Sequence, residues 1–146
     1  VSGLSDDALF YKMIDIIKKA KNGDLIFANF VEFDSLYGHR RDVAGYASAL
    51  ERFDLKLVKL LEIINPNDFL IITADHGNDP TFKGTDHTRE KVPVLMVGNY
   101  AQKGNNGNIV FSDVGATMAD FLDLSGKLKG TNIFYDNNKL EKKCKT

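Results

Sequence analysis

The chain is short of cysteine, of charge imbalance and of long apolar runs, and each shortage excludes a class of protein. Its one cysteine, Cys144 in the lysine-rich tail KLEKKCKT, has no second thiol to pair with and no histidine beside it to activate it. Neither a disulfide scaffold nor a cysteine nucleophile is expected, and the compartment reads as reducing. With 19 Lys and Arg against 20 Asp and Glu, the net charge is −1, the two signs are interspersed, and no basic stripe alternates with aromatics. Nucleic acid is therefore a poor partner. No apolar run approaches the roughly 18 residues of a membrane span, and the first residues, VSGLSDDALF, have the form of neither a signal nor a transit peptide. The protein is accordingly expected in the cytoplasm. Repeats and low-complexity linkers are missing too, so the 146 residues, 43% hydrophobic and 27% charged, are expected to form a single domain.

What is present is an alternation of helical and strand patterns. Ala8, Leu9, Met13, Ile16, Ile17 and Ala20 mark one face of a helix over Ser5 to Lys21, capped by Ser5 or Asp6 and stopped by Asn22 and Gly23. Leu25 to Val31, LIFANFV, is nearly continuous in apolar residues, as expected of a strand buried on both faces of a parallel sheet. Asp42 is placed to cap a helix whose stripe runs from Val43 to Ile64 and stops at Asn65 and Pro66. Two more strands follow at Phe69 to Ala74 and Val92 to Val97, with Pro93 near the start of the second and a loop over Gly98 to Asn108 after it. Ser112 or Asp113 is expected to cap a last helix, Val114 to Leu124, closed by Gly126 and Gly130 before a weaker strand, Asn132 to Tyr135, and a polar tail. The order predicts an α/β fold, a layered parallel sheet with helices on both faces.

The histidines are not distributed like packing residues. Two of the three lie in TADHGNDPTFKGTDHTRE, Thr73 to Glu90, with three aspartates, and the third, His39, lies in DSLYGHRRD, Asp34 to Asp42. A single histidine beside an aspartate is most often a structural hydrogen bond, but here two clusters sit at the carboxyl ends of two predicted strands, where α/β sheets form their ligand crevice. Asp34 and His39 can converge across a turn holding Gly38, Asp75 and His76 follow a strand end, and His87 returns after a loop holding Gly84. Mixed nitrogen and oxygen donors suit zinc or manganese better than calcium. Five ligands exceed one tetrahedral site and divide better between two divalent ions, an arrangement that serves phosphoryl transfer. Four positive charges then face only Asp34 and Asp75, leaving room for Asp79, Asp86 or an anion from elsewhere. Arg89 suits either a bidentate phosphate contact or a salt bridge. Asp42 reads as a cap, Arg40 and Arg41 as solvated, and Thr73 as packed in its strand.

TADHGNDPTFKGTDHTRE together with DSLYGHRRDVAGYA closely resembles the phosphopentomutases of the alkaline phosphatase superfamily, and the likeness continues through VPVL and DVGATMADFL. ADHG alone would also suit cofactor-independent phosphoglycerate mutases; GTDHTRE and the five-residue step from Asp34 to His39 favour phosphopentomutase. The resemblance implies an alkaline-phosphatase-like core and an enzyme that interconverts ribose 1-phosphate, or deoxyribose 1-phosphate, with the 5-phosphate through a phosphothreonine. It implies two divalent ions, usually manganese, one on Asp34, His39 and His87 and the other on Asp75 and His76. Members of that family are longer: they begin with a strand bearing another metal-binding aspartate and the nucleophilic threonine, and carry a cap domain that holds the pentose phosphate. By this likeness residues 1–146 are the C-terminal part of the core, supplying metal ligands but no nucleophile, inactive alone and binding manganese weakly or at one site. Two other readings are a phosphoglycerate mutase or phosphatase of the same superfamily, and a non-catalytic metal-binding module.

Overall fold

In the computed structural model, which describes residues 5–126 and 128–134, the elements follow local capping chemistry closely. Tyr135 and Cys144 lie outside the described residues. Helix α1, Asp6–Ile17, starts where the Ser5 hydroxyl accepts the Ala8 N–H at 3.2 Å. It stops short of Lys21, because Lys19 and Ala20 turn their N–H groups to the carbonyls three residues back. The left-handed Gly23, φ 90°, then serves the next turn rather than the helix end.

Residues 25–31, whose apolar run suggests a strand, carry no regular secondary structure and belong to no ladder among the described residues. The predicted strand is corrected on this point, since a strand needs a neighbour for its N–H and C=O groups as well as an apolar sequence. Phe30 turns inward, its ring 6.3 Å from that of Phe10 and 5.2 Å from that of Phe53. Leu25, Phe27 and Val31 point the other way, and Phe27 is 87% exposed.

Phe33–Gly38 is wound as a π-turn, with the His39 N–H donating to the Asp34 carbonyl five residues back at 2.9 Å. Its start is tied to α1 reciprocally. The Asp6 carboxylate accepts the Val31 and Glu32 N–H groups at 3.1 and 2.9 Å, and the Glu32 carboxylate accepts the Asp6 N–H at 3.1 Å. Burial raises the Asp6 carboxyl above its ordinary range despite those donors. After the turn, Arg41 adopts φ 54°, a left-handed backbone that costs a non-glycine residue roughly 1–3 kcal/mol. Helix α2, Val43–Ile63, begins as expected, with the Asp42 carboxylate accepting the Gly45 N–H at 2.9 Å.

Strands β1, Leu70–Thr73, and β2, Val94–Val97, form a two-stranded sheet, each shorter than its apolar run. Pro93, which has no N–H to give, lies just before β2. The layered parallel sheet predicted from sequence is not what these strands make. Gly77 faces Thr88 in an antiparallel bridge and the Asn99 N–H bonds the Pro66 carbonyl at 2.7 Å, so the chain doubles back through residues 74–93. Parallel pairing would need a crossover to the opposite end of β1.

The chain divides into two compact units, Val1–Asn65 with Ile71–Leu95, and Pro66–Leu70 with Met96–Thr146. The first is cored by Phe10, Ile14, Ala49 and Leu60, with Phe30 tilted and Phe53 edge-on against Phe10, and Phe33 edge-on against Phe53. The second holds helix α3, Phe111–Phe121, which begins three residues before the predicted Val114. Asp113 caps it from inside by reaching back to accept the Val110 N–H at 3.0 Å, and it also accepts the Thr131 N–H at 2.9 Å; these two bonds hold its carboxyl below the usual range. The helix closes through left-handed Asp123 rather than at Gly126 or Gly130. Thr117, fully buried, donates to the Asp113 carbonyl at 2.7 Å and accepts the Ile133 N–H at 2.8 Å. Residues 132–134 are thereby tied to α3 and do not form the predicted strand. Phe69, Tyr100, Phe121 and Phe134 make the aromatic cluster of this unit.

Candidate metal centre

An α-helix advances about 100° per residue, so positions five apart point roughly 140° away from each other. The π-turn removes that divergence. Its hydrogen bond from residue 39 to residue 34 stacks the two positions, which brings His39 Nε2 to 3.3 Å from Asp34 Oδ2. His87 arrives from the 74–93 hairpin, with Nε2 3.4 Å from Asp34 Oδ1 and 3.0 Å from His39 Nε2. Among the described residues, Asp34, His39 and His87 are the group whose ligand atoms converge.

The donor chemistry of this triad fits a cation. His39 Nδ1 faces the Thr85 carbonyl, which can only accept, so in the neutral ring the proton sits on Nδ1 and Nε2 carries the lone pair. That lone pair is aimed at a second imidazole nitrogen and at a carboxylate, both of which can be acceptors. A shared divalent ion satisfies all three, and separations of 3.0 to 3.4 Å are those of neighbouring ligands about a centre roughly 2 Å from each.

The other two predicted ligands lie beside the triad without joining it. The His76 ring stacks on His87 with centroids 3.7 Å apart, and its Nδ1 faces the Gly77 carbonyl at 3.2 Å. Its Nε2 is 3.7 Å from Asp75 Oδ1, and the Asp75 side chain is 80% exposed. Asp79 is used differently from the expectation: its carboxylate accepts the N–H and hydroxyl of Thr81 at 2.8 and 2.7 Å, which keeps it below the ordinary carboxylate range.

Two residues escaped the sequence reading. Asn78, 8% exposed, donates through Nδ2 to Asp34 Oδ1 at 2.6 Å. Arg41, expected to be solvated, donates to Asn78 Oδ1 at 2.7 Å and to several carbonyls of the hairpin. Gly38 also acts otherwise than expected. It does not take a left-handed φ; a Cβ there would lie 2.5 Å from Asn78 Nδ2, so its bare backbone admits the Asn78 amide.

Residues 2–126 match the metalloenzyme superfamily. The chain belongs to that superfamily. This metalloenzyme chain is 52% identical over 128 residues to the phosphopentomutase of Yersinia enterocolitica, covering 87% of this chain and 31% of that protein. It is 54% identical over 127 residues to the phosphopentomutase of Buchnera aphidicola, covering 86% of this chain and 31% of that one. The chain thus spans about a third of the length of these curated relatives. As a metalloenzyme it has the triad where its two histidine clusters meet, and no helix among its described residues is long and apolar enough to cross a membrane.

Proposed function

We propose that this chain is the metal-binding part of a phosphopentomutase, which interconverts ribose 1-phosphate or deoxyribose 1-phosphate with the 5-phosphate in the cytoplasm. The observation that carries the reading is the convergence of Asp34, His39 and His87 in a chain more than half identical to phosphopentomutases. Asp34, His39 and His87 hold one divalent ion, Asp75 and His76 take part in holding a second, and manganese suits the mixed donor set. Such ions neutralise charge on phosphoryl oxygens during transfer. The surroundings prepare for them: the Thr85 main-chain carbonyl favours the His39 tautomer with its proton on Nδ1, and the Asn78 side chain orients the Asp34 carboxylate between the two imidazoles. Two carboxylates leave positive charge to spare, which the phosphate of the pentose and the phosphothreonine carrier of the whole enzyme offset. In the whole enzyme, residues 25–31 and β1 are strands of the layered parallel sheet of an alkaline-phosphatase-like core.

The test is a chimera in which the matching segment of the Yersinia enterocolitica enzyme is replaced by this chain. The chimera is expected to keep manganese-dependent conversion of ribose 1-phosphate to ribose 5-phosphate, with Asp34→Asn lowering kcat/KM at least ~100-fold, the scale of losing a transition-state charge partner. A folded chimera that instead turns over phosphoglycerates, or only hydrolyses phosphate esters, overturns the reading.

A further inference from the structure

Resting on the reading of Asp34, His39 and His87 as metal ligands, we infer that Arg41 is a positioning residue that sets all three at once. Its guanidinium has five neutral acceptors and spans the site from behind. Nη1 donates to the Gly38 carbonyl at 3.1 Å, to Asn78 Oδ1 at 2.7 Å and to the Asp79 carbonyl at 2.8 Å; Nη2 donates to the Asp86 carbonyl at 2.6 Å; Nε donates to the Gly84 carbonyl.

Four of the five bonds lead to a ligand. By donating to Asn78 Oδ1, Arg41 decides which end of that amide faces Asp34, so Nδ2 donates to the carboxylate. By holding Gly84 and Asp86 it fixes Thr85 between them, whose carbonyl sets the tautomer of His39. Asp86 is also the residue before His87, so the same grip sets where that imidazole leaves the backbone. The bond to Gly38 anchors the clamp at the π-turn that carries Asp34 and His39. The left-handed backbone of Arg41 is held in this setting, where the side chain is aimed at the hairpin. Lysine keeps the charge but offers a single flexible ammonium, which cannot reproduce a planar fork reaching acceptors at residues 38, 78, 79, 84 and 86.

The experiment titrates Mn2+ into the 146-residue chain and follows the EPR signal of the free aquo ion, alongside hydrogen exchange of amides 79–88 without metal. Arg41→Lys is expected to weaken Mn2+ binding about 10–100-fold, the usual effect of losing a group that orients metal ligands, and to speed exchange in that loop. Asn78→Ser is expected to weaken binding as well, with a non-additive double variant because the two act in one relay. Unchanged Mn2+ affinity in folded Arg41→Lys overturns the inference, since a residue that merely stabilised the fold would leave the affinity of folded molecules alone. If the Arg41 variant does not fold, unchanged affinity in Asn78→Ser does the same. Loss of binding in His87→Gln separates the two levels: if that variant binds Mn2+ as well as the parent, the ligand reading itself is wrong.

Discussion

Single side chains decide the quality of this site, and Gly38 is the smallest of them. Its Cα sits against Asn78, so Gly38→Ala must push the amide away from Asp34 or shift the π-turn. Forcing an extra carbon into such a contact costs about 1–3 kcal/mol. Gly38→Ala is therefore expected to lower the chain's unfolding free energy by that amount in urea and to weaken Mn2+ binding in the same preparation. Full retention of both would mean that Asn78 has room the structure does not provide. The sequence could not reveal this role, because a glycine needed for close approach reads the same as one needed for a left-handed turn. Arg41 was hidden for a related reason: four of its five acceptors are main-chain oxygens, which leave no signature in the sequence.

At the scale of elements, what was legible is what local chemistry determines. Asp42 capping α2 and Ser5 capping α1 depend on bonds to residues three positions on, so they could be read directly. The triad residues were legible from composition, but their convergence depends on a π-turn, and nothing in FDSLYG distinguishes that winding from an ordinary loop. Pairing is the least local property, which is why residues 25–31 were legible as an apolar run but not as lying outside any ladder. That segment lies in no ladder among the described residues and carries the exposed apolar side chains of Leu25, Phe27 and Val31, a combination that invites association. Phe27→Lys is expected to change unfolding free energy by less than about 0.5 kcal/mol, as surface changes do, while reducing concentration-dependent sedimentation of the chain. A large loss of stability would show that Phe27 is buried in solution.

For the whole molecule, the described triad residues all belong to one unit, so metal binding is linked to the folding of that unit. A ligand at 100 times its dissociation constant adds about 2.7 kcal/mol to the state that binds it. Each kcal/mol moves the midpoint of a unit this size by about 4–8 °C. Scanning calorimetry with saturating Mn2+ is expected to show a rise of at least several degrees over the sample in EDTA, with no rise in Asp34→Asn. Equal midpoints with and without metal would mean that the triad does not bind it. The π-turn has one more bearing, on what lengths of chain the site tolerates. In a regular α-helix the positions that share a face are three or four apart, so losing one residue between Asp34 and His39 would leave a four-residue step that ordinary winding already brings into register. A homologue lacking that residue could keep both ligands by relaxing the turn, whereas one gaining a residue would have no common helical winding to fall back on; the junction should accept deletions and resist insertions.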